Sequence, residues 1–177
     1  MLSYRAIDYA SPDDCALLAQ WYNDPELKHL YSRFADAHSA RFVFTADHFA
    51  HQAKCRPPDH RTDKLMILAD GTPIGEASFE LDPPKKQTQE PQTGWIALMI
   101  GDRSRHQSGL GTQVIRHLET LARNAGAVRI EVGIFAYNTA SLAFFAKLGY
   151  EEFMRRPDWA WWQGRLWDDV RLLKTFC

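Results

Sequence analysis

Gly109-Leu110-Gly111 follows Asp102-Arg103-Ser104-Arg105-His106-Gln107-Ser108 and opens a helical pattern, close behind the apolar run Trp95 to Ile100. A strand, a glycine turn and a helix together make an anion site. N–H groups at a helix start have no partner within the helix, and the positive end of the helix dipole favours a pyrophosphate. The glycines allow close approach, and Arg103, Arg105 and His106 gather positive charge in a chain whose formal net charge is −1. Proton carriers are the next requirement. Glu76, Ser78 and Glu80 share one face of a strand by period two, so either carboxylate could relay a proton through water; a solvated strand face explains the same pattern. Trp159, Trp161 and Trp162, with Trp21, Tyr22 and Tyr31, could line a pocket for a cation or a ring. Core packing, or a surface joining two copies in a homodimer, accounts for them equally. His48 and His51 are at helical spacing but lack further ligands in pattern, so no metal is expected. Nothing orients Cys55, near His51 and His60, as a nucleophile.

These residues need elements to hold them. Leu2 to Tyr9 reads as a strand. Ser11-Pro12-Asp13-Asp14 supplies an N-cap and a first-turn proline for a helix reaching about Trp21. A short helix ends near Tyr31, residues 32 to 43 carry no clean period, and Thr45 opens a helix that stops before Pro57-Pro58. Lys64 to Ala69 and Pro73 to Leu81 flank Asp70-Gly71 as a hairpin. The polar, proline-bearing stretch from Asp82 to Gln92 is a loop. The run from Trp95 to Ile100 implies a strand covered on both faces. Leu110, Val114, Leu118, Leu121, Ala122 and Ala125 recur at helical spacing, with Gly126 as the stop. Val128, Ile130, Val132 and Ile134 alternate as a strand, and a helix spans Asn138 to Leu148 before Gly149. Tyr150 to Arg156 and Trp167 to Phe176 read as strands joined by residues 157 to 166.

The 177 residues suit a single domain, 1–177, able to bury a core without disulfides or a structural metal. Hydrophobic residues at 45% and charged residues at 24% are ordinary for a folded soluble chain. Near-neutral charge gives no general attraction to nucleic acid or anionic membrane. Cys15, Cys55 and Cys177 form no CxxC pair and read as reduced thiols. With no apolar leader and no run of about 18 apolar residues, the expected address is cytoplasmic.

The string His106-Gln107-Ser108-Gly109-Leu110-Gly111 resembles the coenzyme A signature Gln/Arg-x-x-Gly-x-Gly/Ala of the GNAT superfamily of N-acetyltransferases. Asn138-Thr139-Ala140-Ser141 and Phe145-Ala146-Lys147-Leu148-Gly149-Tyr150 resemble that family's Asn-x-x-Ala/Ser and Tyr-x-x-x-Gly-Phe elements. The likeness covers residues 63 to 156 best. Trp21 to Glu26 and Gly164 to Val170 are similar to the branch of ribosomal-protein N-terminal and spermidine acetyltransferases. The resemblance implies an α/β (α+β) fold: a mixed, mostly antiparallel sheet of six to seven strands, about four flanking helices and a splayed central strand pair. It implies acetyl-CoA as cofactor and direct acetyl transfer to a primary amine of a small molecule or peptide. The backbone of Leu98, Met99 and Ile100 would meet the pantetheine arm. Residues His106, Gln107, Ser108, Gly109, Leu110, Gly111 and Thr112 would hold the pyrophosphate, with Asn138, Ser141 and Phe145 beside the arm. One backbone donor would face the thioester carbonyl.

The sequence departs from that pattern in three places. His106 replaces Gln or Arg, although Arg105 lies beside it. Phe145 replaces the tyrosine that frequently serves as acid, which leaves Tyr137, Tyr150 or water. The strand carrying Trp95 has no carboxylate where relatives place a glutamate, which leaves Glu76 or Glu80. Tyr22, Tyr31, Trp21, Trp95 and Trp162 are the expected acceptor-side residues. Three competing readings remain. An aminoglycoside acetyltransferase shares the fold, and a noncatalytic acyl-CoA sensor would explain Phe145. An NAD-dependent oxidoreductase is the third, since Glu131 lies 22 residues beyond Gly109 like a ribose-binding acid. Against it, Val114 stands in place of a third glycine.

Overall fold

The computed structural model describes residues 1–55 and 62–176. Its chain begins with β1 (Leu2–Ala6) and α1 (Pro12–Asn23), where Ser11 accepts a hydrogen bond from the Asp14 N–H. β1 stops three residues short of the Tyr9 expected from sequence because side chains capture the next backbone. The Asp14 carboxylate accepts from the Asp8 N–H and from both terminal nitrogens of Arg5, while Asp8 accepts from the Ala10 N–H. A single turn, α2 (Lys28–Tyr31), and a 3-10 turn over Ser39–Arg41 lead to α3 (Ala46–Lys54), capped by Thr45. Pro57, Pro58 and His60 lie outside the described residues.

β2 (Thr62–Ala69) and β3 (Thr72–Leu81) form the expected hairpin, with Asp70 and Gly71 at φ 50° and 82°. That pair of left-handed residues matches the twist of the flanking strands. β4 (Thr93–Ile100), α4 (Leu110–Asn124), β5 (Arg129–Phe135) and α5 (Thr139–Lys147) follow. The tail corrects one expectation. Residues 157 to 166 are no connecting segment: β6 (Glu151–Trp162) and β7 (Arg165–Thr175) form a long hairpin turning only at Gln163-Gly164. A register shift between Arg156 and Ala160 accommodates Pro157, on a strand that stands at the sheet edge.

All seven strands form one sheet in the order β1-β2-β3-β4-β5-β7-β6. Every pairing is antiparallel except β4 with β5. One face carries α4, whose Val114, Ile115, Leu118 and Ala122 are buried against Ile74, Phe79 and Ile130. The other carries α1 and α3, where Leu18, Trp21 and Phe49 pack with Met66 and Met99. Helices on both faces explain why β4 is apolar from Trp95 to Ile100.

The β4–β5 pair joins at Thr93↔Arg129, Gly94↔Ile130 and Trp95↔Glu131 only. From Ile96 onward β4 keeps its β3 partners, and β5 keeps its β7 partners to Phe135, so a wedge opens between them. This is the splayed pair implied by the resemblance. The end of β4 is fixed by a close contact: a Cβ on Gly101 would lie 2.3 Å from the Trp21 indole. Gly101→Ala should therefore lower the urea midpoint at unchanged m, by about 1–3 kcal/mol of stability, as overpacking does. Equilibrium urea unfolding checks this, and a wild-type midpoint would contradict the contact.

Candidate active site

The glycine turn is built by its own side chains. Asp102 accepts from the Ser104 N–H, starting a 3-10 turn over Arg103–Arg105, and Ser108 Oγ donates to the Arg105 carbonyl at 2.5 Å. Gln107 and Gly109 both take positive φ, 58° and 79°. Gly109 offers no side chain to cap α4, so the first N–H groups of the helix, at Leu110, Gly111 and Thr112, are presented outward. A Cβ built on Gly109 meets nothing within 4 Å, whereas one on Gly111 lies 3.3 Å from Phe144 and 3.8 Å from Leu98. The turn is thus open in front and packed behind. His106 has a different role from the local positive charge read in sequence. Its Nε2 lies 2.8 Å from the Ile100 carbonyl, so the ring donates there and ties the turn to the end of β4.

A cavity of about 310 Å³ fills the wedge between β4 and β5. One end is lined by Leu98, Asn138, Ser141 and Phe145. Asn138 caps α5 by accepting from the Ser141 N–H at 3.1 Å, which fixes both side chains beside the cavity. Phe145 packs edge-on to Phe144 and Tyr150. Met99 and Ile100 send their side chains into the two cores, so only their backbone can serve the wedge.

The other end carries charge that sequence reading missed. Glu131, fully buried, accepts from Arg171 Nη1 and from the N–H groups of Gln87 and Thr88, all at 2.9 Å. Arg171 Nε donates to Asp169 at 2.7 Å, and Arg156 donates to the same carboxylate oxygen. Gly133 leaves them room, since a Cβ there would lie 3.0 Å from Asp169, 3.0 Å from Trp95 and 3.2 Å from Arg171. Lys85 and Arg171 sit 5.2 Å and 4.8 Å from the Trp95 ring centre, and Arg33 and Arg156 sit 4.0 Å and 3.6 Å from that of Trp159. The available signal was an arginine at position 171 inside an otherwise apolar run, Val170 to Leu173.

The expected proton carriers are held individually. Glu76 is buried under α1 and accepts from the Tyr22 hydroxyl at 2.5 Å, so this part of the strand face is not solvated. Burial first, and Glu76 second, raises the Tyr22 hydroxyl well above its ordinary value. The same two causes push Tyr31, which lines the cavity, up to about 12. Glu80 pairs with Lys85 at 2.5 Å, and burial lowers that ammonium. Tyr137 donates to the His29 carbonyl at 2.6 Å, and burial raises its hydroxyl. Tyr150 donates to Glu119. Of the aromatic residues expected on the acceptor side, Trp95 and Tyr31 reach the cavity, joined by Trp159. Trp21 is core, Tyr22 stands behind Glu76, and Trp162 stacks on His29 at 3.9 Å. His48 is packed among Phe42, Phe44 and Phe49.

A family model described as Acetyltransferase (GNAT) family matches residues 17–150. The chain belongs to the GNAT acetyltransferase family. No curated protein matches it by sequence. Among solved structures it is similar to Salmonella typhimurium yncA with its cofactor acetyl-CoA, at 20% identity over 99% of this chain and 94% of that one, with a TM-score of 0.71. A ribosomal-protein-alanine N-acetyltransferase from Brucella melitensis matches at 18% identity, 98% and 99% coverage and TM-score 0.71. An aminoglycoside acetyltransferase in complex with coenzyme A matches at 19%, 99% and 95%, with 0.73. This GNAT chain is an N-acetyltransferase whose cofactor is acetyl-CoA. Its residues fit that group: the turn is open and uncapped, and the β4 edge is unpaired beyond Trp95. The oxidoreductase reading falls with the family, and Glu131, the supposed ribose acid, is sealed against Arg171.

Removing one partner of a buried pair strands the other. Arg171→Met should cost about 3–5 kcal/mol in urea unfolding, because it leaves the Glu131 carboxylate buried without its cation. Adding Glu131→Gln to that variant should recover part of the loss. A double variant no more stable than Arg171→Met would show that the pair is not the cause.

Proposed function

We propose that this GNAT chain transfers the acetyl group of acetyl-CoA directly to a primary amine of a small molecule or peptide. The carrying observation is the two-ended cavity at the β4–β5 wedge. Its lining brings Asn138, Ser141 and Phe145 of the α5 segment together with Lys85, Arg156, Trp159 and Arg171, polar and aromatic side chains suited to an acceptor. In this reading the N–H groups of Leu110, Gly111 and Thr112, with Ser108 and Gly109, hold the pyrophosphate. Leu98, Met99 and Ile100 present the β4 backbone, and Asn138, Ser141 and Phe145 wall the arm.

When bound, acetyl-CoA supplies an acyl carbon bonded to sulfur; the amine lone pair forms the C–N bond, the C–S bond breaks, the amine loses one proton and the thiolate takes one. The chain's contribution is positioning and proton handling. A backbone N–H left unpaired on β4 is a fixed donor for an oxygen gaining charge. Two carboxylates stand near the cavity lining: Glu80, paired with Lys85, and Glu76, which accepts from Tyr22 and, second to burial, raises the hydroxyl of Tyr31. Either can draw the amine proton through water. Tyr137 and Tyr150 already donate to protein acceptors, and Phe145 cannot donate, so water protonates the thiolate. The same three residues are what favours the noncatalytic sensor as a second reading.

Two measurements decide between them. Acetyl-CoA at hundreds of micromolar should raise the melting temperature, NAD should not, and mass spectrometry of an amine panel should find an acetylated product. Gly111→Asp should remove the shift. The new side chain crowds Phe144, 3.3 Å from a Cβ at this position, so the unliganded melting temperature should fall and the shift is read against the variant's own baseline, while the carboxylate brings negative charge to the turn that would hold the pyrophosphate. An unaltered shift in Gly111→Asp would refute the assignment of the turn. Binding without any acetylated product would favour the sensor. In pH–rate profiles, Glu76→Gln or Glu80→Gln should lower the rate at neutral pH and recover toward wild type at alkaline pH, where the amine is already neutral. Wild-type profiles in both variants would remove the carboxylates from the mechanism.

A further inference from the structure

The acceptor end of the cavity carries more cations than acids to match them. Arg33, Lys85, Arg156 and Arg171 line it, with Asp169 as the lining acid. Each nearby carboxylate is already engaged: Asp169 by Arg156 and Arg171, Glu131 by Arg171, and Glu80 by Lys85. Arg33 has no acid partner among the described residues. It is held all the same, because its Nε donates to the Trp159 carbonyl at 2.8 Å and its guanidinium lies over the Trp159 ring. The residue is exposed, and both terminal nitrogens of this positioned, planar cation face solvent without a protein acceptor among the described residues. A guanidinium so placed matches a planar carboxylate through two parallel hydrogen bonds.

We infer that the acceptor is an amine that also carries a carboxylate, an amino acid by chemical class, with the carboxylate on Arg33 beside Trp159. This rests on the acetyl transfer proposed above. A polycationic acceptor fits the same place poorly, since it would bring further positive charge against four cations whose own acids are already paired. Arg33 also borders a second hollow of about 590 Å³, lined by Ser32, Phe34, Arg41, Phe42 and Phe44 among others. Ser32 Oγ is buried there without a hydrogen-bond partner among the described residues. The hollow gives room beside Arg33 for the acceptor's side chain, against the rings of Phe34, Phe42 and Phe44.

The test uses the full chain with acetyl-CoA and measures kcat/KM by mass spectrometry. The acceptors are the protein amino acids with primary amines, each beside its own C-terminal amide, with spermidine and kanamycin as polycations lacking a carboxylate. At least one amino acid should exceed its amide by about tenfold or more, as expected for a charge-assisted bidentate contact. Arg33→Gln should bring that ratio toward one, chiefly by raising KM for the acid. Amides or polycations acetylated as well as the acids, or a ratio unmoved in Arg33→Gln, would overturn the inference while acetyl transfer stands. If acetyl-CoA raises the melting temperature but no amine in any set is acetylated, direct transfer fails and the inference fails with it.

Discussion

The divergence of β4 from β5 after Trp95↔Glu131 is the constraint on which the rest of the molecule depends. Interrupting a sheet at its centre exposes backbone groups that would otherwise be paired, and a folded chain tolerates that only where something else satisfies them. Here each diverging strand stays fully paired on its outer side, β4 with β3 and β5 with β7, so the wedge can open without loosening either half. Helices cover both faces, and the opening emerges between α5 on one side and the long β6–β7 hairpin on the other.

The charged residues at the wedge belong to the same device. Trp95, Arg171 and Asp169 crowd the space in front of Gly133, where any Cβ would press on all three side chains. Burying Glu131 with Arg171 carries a large desolvation cost, offset by two backbone N–H donors from the 82–92 loop and by the continuation of the network through Asp169 to Arg156. A more apolar core would be easier to stabilise. The network instead fixes rigid cations at one mouth of the cavity, and the cation–aromatic contacts with Trp95 and Trp159 hold them in place.

Much of this was legible in the sequence, for local reasons. Gly109, Gly126 and Gly149 adopt the positive φ that their places after strand or helix demand, Asp70-Gly71 forms its hairpin turn, and Asn138 caps its helix. Each of those signals lies within a few residues of what it controls. What stayed hidden depends on partners far apart in the chain. Glu131 meets Arg171 because β5 pairs with β7, and the Tyr137 hydroxyl donates a hydrogen bond to the His29 carbonyl, 108 residues away. Trp21 and Trp159 look alike as residues. One lies under Gly101 in the core and the other lines the cavity, and only the packing of α1 and the register of β6 separate them.

The family is fixed by the matched stretch 17–150, while the cofactor-holding role proposed above rests on this chain's own backbone: an uncapped turn and an unpaired strand edge. Hydrogen exchange of the amides, with and without saturating acetyl-CoA, examines that directly. The account predicts slowed exchange at residues 96–100 and 108–112, with β1 and β2 unchanged. Unaltered exchange in those two segments while acetyl-CoA is bound, or protection confined to some other face, would contradict it.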